Sequence, residues 1–139
     1  MKLKIISGIC LLLAVLIWSC QSEQAIEFDR YYSSGMGVYQ THCLNCHGAE
    51  GQGLAQLIPP LTDTVLLKKN KNSLPCIIKN GLINKITVSG KLYDGTMPPV
   101  ALSPIEIAQV LTYVGNSFGN KLGLVNTDDV IAYVNNCKN

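Results

Sequence analysis

Cys43-Leu44-Asn45-Cys46-His47 is the stretch around which this chain of 139 residues is organised. It places two thiols three positions apart and an imidazole directly after the second thiol. With this spacing both thiols can reach the two vinyl groups of one haem, while the histidine binds the iron through a ring nitrogen. The stretch therefore predicts one covalently attached haem c, with Cys43 and Cys46 as attachment points and His47 as an iron ligand.

A structural zinc site and a thiol redox pair are the alternatives for two cysteines at this spacing. A tetrahedral zinc site commonly takes its other ligands from a second close pair, and Cys76 and Cys137 lie too far apart in the sequence to form one. A redox pair of the thioredoxin kind would follow a strand in a βαβ pattern, which the flanking sequence lacks. Haem attachment therefore remains the favoured interpretation.

The N-terminal residues are typical of an export signal. The chain starts with a basic tetrapeptide, and residues 5–17 are mostly apolar but too few to be expected to span a membrane. Ile17-Trp18-Ser19-Cys20 resembles the bacterial lipoprotein processing site, in which the cysteine becomes the lipid-modified N-terminus. We expect residues 1–19 to be a signal peptide and a lipid on Cys20 to hold the protein on the periplasmic side of a bacterial membrane. An ordinary cleaved signal with an incidental cysteine is the alternative.

The charge balance argues against nucleic acid as a partner. The chain has eleven Lys and Arg residues and nine Asp and Glu residues, and loss of residues 1–19 removes Lys2 and Lys4 and leaves nine of each sign. Nucleic-acid binding requires a basic face. Beyond the signal, we expect a polar tether over residues 20–32 and a single domain over residues 33–139.

GMGVYQTHCLNCHGAEGQG, residues 35–53, resembles the N-terminal helix and haem-binding segment of class I c-type cytochromes. The pattern predicts a helix over residues 33–42. In that family a small residue and an aromatic residue on this helix pack against the C-terminal helix. The resemblance points to Gly37 and Tyr39, with Gly35 as an equal contender for the small residue.

A proline-rich loop, Ile58-Pro59-Pro60-Leu61, follows the haem-binding segment. In the cytochrome family a proline carbonyl in such a stretch accepts a hydrogen bond from the iron-bound histidine, which fixes the ring orientation and raises the basicity of the ligand. The resemblance implies that Pro60 supplies this carbonyl. The alternative is a plain rigid loop.

Asp94-Gly95-Thr96-Met97-Pro98-Pro99 is the second segment that carries chemistry. A methionine that binds haem iron must come from a rigid loop, and two prolines directly after Met97 supply fixed φ angles. KITVSGKLYDGTMPP, residues 85–99, resembles the distal ligand region of bacterial class I cytochromes c. The resemblance implies that Met97 is the second iron ligand and that Tyr93 packs near a haem propionate. Core packing is the alternative for both residues.

Capping and turn signals predict the remaining elements, and the resemblance implies an all-α cytochrome c fold, with several short helices wrapped around one covalently bound haem. The predicted elements are a helix over 74–80, a small hairpin or extended turn over 85–93, a helix from Pro104 to about Ser117 and a short helix over 127–136. The lysine run at residues 68–71 is expected to be a solvated loop rather than a docking patch. In an exported protein, Cys76 and Cys137 are most simply explained as a disulfide, with two free thiols as the alternative.

These expectations describe a monohaem electron carrier. With His47 and Met97 both bound, the iron has no open position for a substrate. The expected partners are redox proteins, a dehydrogenase, oxidase or reductase, and low net charge predicts docking that depends little on salt. The alternative is a haem-based enzyme or gas sensor in which Met97 is displaceable, but the sequence offers no acid or base beside Met97 to support it.

Overall fold

The computed structural model describes residues 22–137, together with Ile6 and Gly8. The part of the chain so described contains six helices and one antiparallel hairpin, which agrees with the predicted all-α fold with a small hairpin. The helices are α1 Glu23–His42, α2 Leu44–His47, α3 Thr64–Lys69, α4 Leu74–Asn80, α5 Pro104–Val114 and α6 Thr127–Asn135, and the strands are β1 Ile86–Val88 and β2 Lys91–Tyr93. Ile86 pairs with Tyr93 across the hairpin. Over the described residues, no helix combines the length and apolar character that a membrane span requires. Cys20 and the predicted signal cleavage site lie outside the described residues.

Helix α1 begins ten residues earlier than the sequence predicts, at Glu23 rather than at residue 33. The side chain of Ser22 caps it by accepting a hydrogen bond from the Ala25 amide at 3.3 Å. Such a cap satisfies one of the backbone amides that the first turn of a helix leaves free. The segment 20–32, expected to be a tether, is therefore helical from Glu23 onwards.

Two tyrosine hydroxyls anchor this extra length of α1 to the C-terminal part of the chain. The Tyr31 hydroxyl lies 2.8 Å from the hydroxyl of Thr127, and the Tyr32 hydroxyl lies 3.0 Å from that of Ser117. Because these partners are remote in sequence and the contacts are polar, they leave no apolar period in the sequence. This is the physical reason why the helix start was predicted wrongly.

Helices α1 and α5 cross at Gly35. A Cβ atom on Gly35 would collide with the backbone carbonyl of Gln109, whereas a Cβ atom on Gly37 would meet nothing within 4 Å. Gly35 is therefore the small residue at the crossing, and Gly37 is not. Tyr39, one turn further along α1, is 1% exposed. It belongs to a buried cluster whose other members are Leu67, Val110 and Val114.

Helix α6 completes a second part of the core. Val130 and Val134 on α6 are buried against α5. A disulfide joins Cys76 of α4 to Cys137, which follows α6, with the two Cα atoms 5.6 Å apart. The C-terminal helix is thus tied covalently to the middle of the domain.

Two boundaries differ from the sequence prediction. Helix α5 ends at Val114 rather than near Ser117. Helix α3 was not predicted, and its start is set by Asp63, whose Oδ1 accepts a hydrogen bond from the Leu66 amide at 2.9 Å. Because α3 is a single capped turn and a half, its short apolar pattern is hard to tell from a loop. The first two lysines of the run at 68–71 therefore end a helix, and they are exposed as expected.

Candidate haem-binding site

A cavity of about 200 Å³ lies between the turn after α1, the helices α3 to α5 and the loop before Pro98. Its wall is formed mainly by leucine, isoleucine, valine and proline side chains. The four residues predicted to attach the haem or bind its iron all line this cavity: Cys43, Cys46, His47 and Met97. An apolar cavity with a few convergent ligand atoms is the usual form of a cofactor site.

The attachment motif forms one helical turn directly after α1. The Cys43 amide still donates to the Tyr39 carbonyl at 2.9 Å, and the His47 amide donates to the Cys43 carbonyl at 2.9 Å, so the motif occupies α2. Cys43 is half-buried, Cys46 is exposed, and both are free thiols. Burial raises the pKa of the Cys43 thiol to about 11, and the neighbouring Cys46 adds to the rise. Two free thiols on one turn at the cavity wall fit the attachment of a haem.

His47 is oriented by the carbonyl of Pro59, which lies 3.3 Å from its Nδ1 atom. The sequence predicted Pro60 as the acceptor, and this assignment is corrected by one residue. The reason is Gly53, whose amide donates to the His47 carbonyl at 2.8 Å. A side chain on Gly53 would collide with the backbone of Pro59, so the missing side chain lets this carbonyl approach the histidine. Pro60 lines the cavity, and its contact with a haem stays a prediction.

This arrangement leaves the other ring nitrogen of His47 for the iron. Donation from Nδ1 to a carbonyl fixes the tautomer in which Nε2 carries the free lone pair. Burial lowers the pKa of His47, while the hydrogen bond to Pro59 acts in the opposite direction. Because a metal ligand must be the neutral imidazole, the burial of His47 favours the form that binds iron.

Met97 is held by backbone pairing that the sequence analysis did not identify. Its amide and carbonyl pair with the carbonyl and amide of Leu82, both at 2.9 Å. Gly81, with a φ of 77°, has no space for a side chain beside the Met97 carbonyl. Gly95 packs directly on the carbonyl of Leu57. These close backbone contacts add to the rigidity expected from the prolines, and glycines at 81 and 95 are the sequence signal that could have revealed them.

Tyr93 and Tyr39 take different places from those of the ligands. Tyr93 is 5% exposed, pairs with Ile86 in the hairpin and does not line the cavity. This position favours the alternative of ordinary core packing for Tyr93. Tyr39, which was expected only to pack between helices, also donates from its hydroxyl to the Gly48 carbonyl at 2.6 Å. Burial raises the pKa of Tyr39 to about 12, so the hydroxyl keeps the proton that it donates.

Comparison with known proteins agrees with this geometry. The family model described as Cytochrome c matches residues 32–118. Cytochrome c-552 of Thermus thermophilus is 33% identical over 93 residues, which cover 63% of this chain and 70% of that protein. A second cytochrome c-552, from another strain of Thermus thermophilus, is also 33% identical over 93 residues, and the match covers 62% of that protein.

A longer protein is also similar. The cytochrome c subunit of a quinone alcohol dehydrogenase from Gluconacetobacter polyoxogenes is 32% identical over 107 residues, which cover 69% of this chain. The match spans only 21% of that subunit, or about a fifth of its length. The similarity therefore concerns one haem-binding domain.

The family match extends over more than half of the chain and includes the attachment turn, the Pro59 loop and the Met97 loop. The sequence has one Cys-x-x-Cys-His motif and so attaches a single haem c. When bound, haem c supplies an iron that takes up and releases one electron. This chain belongs to the cytochrome c family and is a monohaem electron-transfer protein of class I.

Proposed function

We propose that this cytochrome carries single electrons between a dehydrogenase or respiratory complex and an acceptor protein, on the periplasmic side of a bacterial membrane. The observation that supports this most directly is the convergence of His47 and Met97 on one apolar cavity. His47 and Met97 are the two axial ligands, and Cys43 and Cys46 hold the cofactor. With both axial positions occupied by protein, no position is left for a substrate, and the protein by itself is a carrier rather than an enzyme.

Each residue near the cavity has a role in this carrier. The Pro59 carbonyl accepts the Nδ1 proton of His47 and raises the basicity of the ligand. Leu82 holds the Met97 loop by two backbone hydrogen bonds, so the thioether sulfur is presented with little freedom. The apolar wall excludes water and, together with methionine ligation, favours the reduced state.

The distribution of lysines suggests which face meets the partner. Residues 64–93 contain six lysines and no aspartate or glutamate. All six are exposed, and the same segment contributes Leu66, Leu74 and Ile86 to the cavity wall. The protein is near neutral as a whole, but this face is positive, which favours an acidic docking surface on the partner. Docking should therefore depend on salt more than the net charge alone predicts.

The proposed anchor lies close to the folded domain. Cys20 precedes the first residue of α1, Glu23, by three positions. Three residues span at most about 11 Å of extended chain, so a lipid on Cys20 would hold the domain near the membrane surface. A Cys20→Ser variant tests this. We expect it to move from the membrane fraction to the soluble periplasmic fraction with its haem spectrum unchanged, and retention in the membrane would contradict the anchor.

The covalent attachment is tested by cysteine variants expressed with a c-type maturation system. Cys43→Ser combined with Cys46→Ser should give protein from which acid–acetone extracts any haem. The matched control is Cys76→Ser combined with Cys137→Ser, which removes two cysteines away from the cavity and should retain covalent haem. Covalent haem in the first variant, or its loss in the control alone, would overturn the assignment.

A further inference from the structure

The turn that follows α5, residues 115–120, packs against the loop that contains the acceptor of the histidine hydrogen bond. We call residues 58–61 the acceptor loop. In the turn, Phe118 has a φ of 57° and Gly119 a φ of 89°. Phenylalanine rarely adopts this left-handed conformation, so tertiary contacts must hold it there. The Phe118 ring lies against Gly51, where a side chain would collide with it.

Asn120 connects this turn to the acceptor loop. Its side chain is buried, with 2% of the residue exposed. Nδ2 donates to the Leu61 carbonyl at 2.8 Å and to the Val114 carbonyl at 3.0 Å. Oδ1 accepts a hydrogen bond from the Thr64 hydroxyl at 2.7 Å. The amide therefore links the acceptor loop, the end of α5 and the start of α3 at a single buried point.

Leu61 is held on both sides of its backbone. Its amide donates to the Gly51 carbonyl at 2.7 Å, and its carbonyl accepts from Asn120. Leu61 is two residues after Pro59, whose carbonyl orients His47. With Leu61 fixed at both ends of the residue and the prolines restricted in φ, the position of the Pro59 carbonyl has little freedom.

We propose that Asn120 is a positioning residue for the iron ligand: by fixing Leu61, it keeps the Pro59 carbonyl within hydrogen-bonding distance of His47. This inference rests on the proposed role of His47 as an axial ligand. A buried amide whose donors and acceptor are all used acts as a rigid link, because leaving any of these atoms unpaired carries a desolvation cost. Through this link, a residue that does not line the cavity sets the basicity of the ligand.

Asn120→Asp is the test variant, because it keeps the size and shape of the side chain. The acceptor for Thr64 remains, but the donor is replaced by an oxygen that faces the carbonyls of Leu61 and Val114. We expect the acceptor loop to move and the His47 hydrogen bond to weaken. A less basic imidazole stabilises the oxidised iron less, so the reduction potential should rise. The Nδ1 proton of His47, followed by NMR in the reduced holoprotein, should exchange with solvent on the order of ten times faster.

Asn116→Asp is the matched control. Asn116 lies in the same turn, and its Nδ2 donates to the carbonyls of Thr112 at 2.7 Å and Gly123 at 2.8 Å. Neither partner belongs to the acceptor loop. A merely structural role for both asparagines predicts lower stability in both variants with unchanged potential and unchanged exchange of the histidine proton. Positioning by Asn120 predicts that only Asn120→Asp changes the potential and the exchange.

Further measurements keep the outcomes distinct. If Asn120→Asp does not mature, Thr64→Val removes one bond to Asn120 and should change potential and exchange in the same direction, by less. The wild-type spectrum is recorded first, since lack of histidine and methionine ligation would overturn the proposed function and this inference with it. Normal ligation in the wild type, with potential and exchange unchanged in Asn120→Asp or in the Thr64→Val fallback, or with equal changes in Asn116→Asp, would overturn the role of Asn120 alone.

Discussion

Gly35 of α1 lies against the backbone carbonyl of Gln109 in α5, with no room between the two helices for a methyl group. This contact sets how closely the helices approach. The haem-attachment turn starts directly after α1, and α5 supplies Val110 and Val114 to the cavity wall. The crossing at Gly35 therefore fixes the attachment turn relative to the opposite wall of the site.

Replacing Gly35 by alanine should destabilise the protein by about 1–3 kcal/mol, because the new methyl group must displace backbone rather than a flexible side chain. The gain in helix propensity, about 1 kcal/mol, opposes this loss but does not cancel it. Denaturant unfolding followed by circular dichroism measures the change. Unchanged stability would contradict the close contact.

Gly37→Ala is the matched control for the same substitution two residues away. A Cβ at Gly37 would meet nothing within 4 Å, and the residue is exposed. Here only helix propensity changes, so the free energy of unfolding should rise by about 0.5–1 kcal/mol. Opposite signs for the two alanines distinguish the crossing point from the open face of α1.

The disulfide between Cys76 and Cys137 should contribute about 2–4 kcal/mol to stability, since the two residues are 61 positions apart and the bond restricts the unfolded chain. The Cys76→Ala, Cys137→Ala double variant should unfold at lower denaturant concentration and keep its haem. Reductant should lower the midpoint of the wild type and leave that of the double variant unchanged. A reductant effect on the double variant would point to another source.

Asp63 predicts a dependence of stability on acid pH. Its Oδ1 accepts from the Leu66 amide at 2.9 Å, and its Oδ2 accepts from the Ser89 amide at 3.1 Å and hydroxyl at 2.9 Å. These hydrogen bonds hold the pKa of Asp63 below its usual value of 3.8, that to Leu66 having the largest effect. A lowered pKa in the folded state means that the carboxylate stabilises the protein above the unfolded-state pKa, and that this contribution is lost as pH falls through the folded-state pKa.

Asp63→Asn should therefore be less stable than the wild type at neutral pH, and the difference should shrink below about pH 4. Unfolding free energies measured from pH 7 to pH 2 test this. Asp94→Asn is the control, because no hydrogen bond to the Asp94 carboxylate is found within residues 22–137. A constant difference between wild type and Asp63→Asn across the whole range would contradict the prediction.

The positive face over residues 64–93 should steer anionic reaction partners. The rate of oxidation of the reduced holoprotein by ferricyanide should fall as ionic strength rises, since salt screens the lysines. Lys68→Gln combined with Lys69→Gln should lower the rate at low salt, and Lys121→Gln, outside this face, should change it less. Equal effects of the two charge changes would show that net charge rather than this face governs the encounter.

The sequence was sufficient for the parts of the site whose chemistry is local. The spacing of Cys43, Cys46 and His47 lies within one helical turn, and Met97 is marked by the prolines that follow it. The structure brings all four residues to one cavity. Helix 74–80 was predicted with its bounds, because a serine, an early proline and a glycine mark its ends.

The parts that the sequence did not reveal depend on contacts between distant segments. The acceptor of the His47 hydrogen bond is Pro59 rather than Pro60 because of the close approach of Gly53, which no local pattern records. The early start of α1 depends on hydroxyl contacts made by Tyr31 and Tyr32 with residues 96 and 85 positions away. Both misses arise from tertiary contacts that override local preference.

The most direct test of the account is the visible spectrum of the matured holoprotein, oxidised and reduced, for the wild type and for Met97→Ala. The account predicts a weak sulfur-to-iron band near the red end in the oxidised wild type, its loss in Met97→Ala, and its retention in Met36→Ala, which changes a methionine of α1 that is 41% exposed. Covalent haem without this band in the wild type, together with ready binding of carbon monoxide, would contradict the account and indicate an open iron suited to an enzyme or gas sensor.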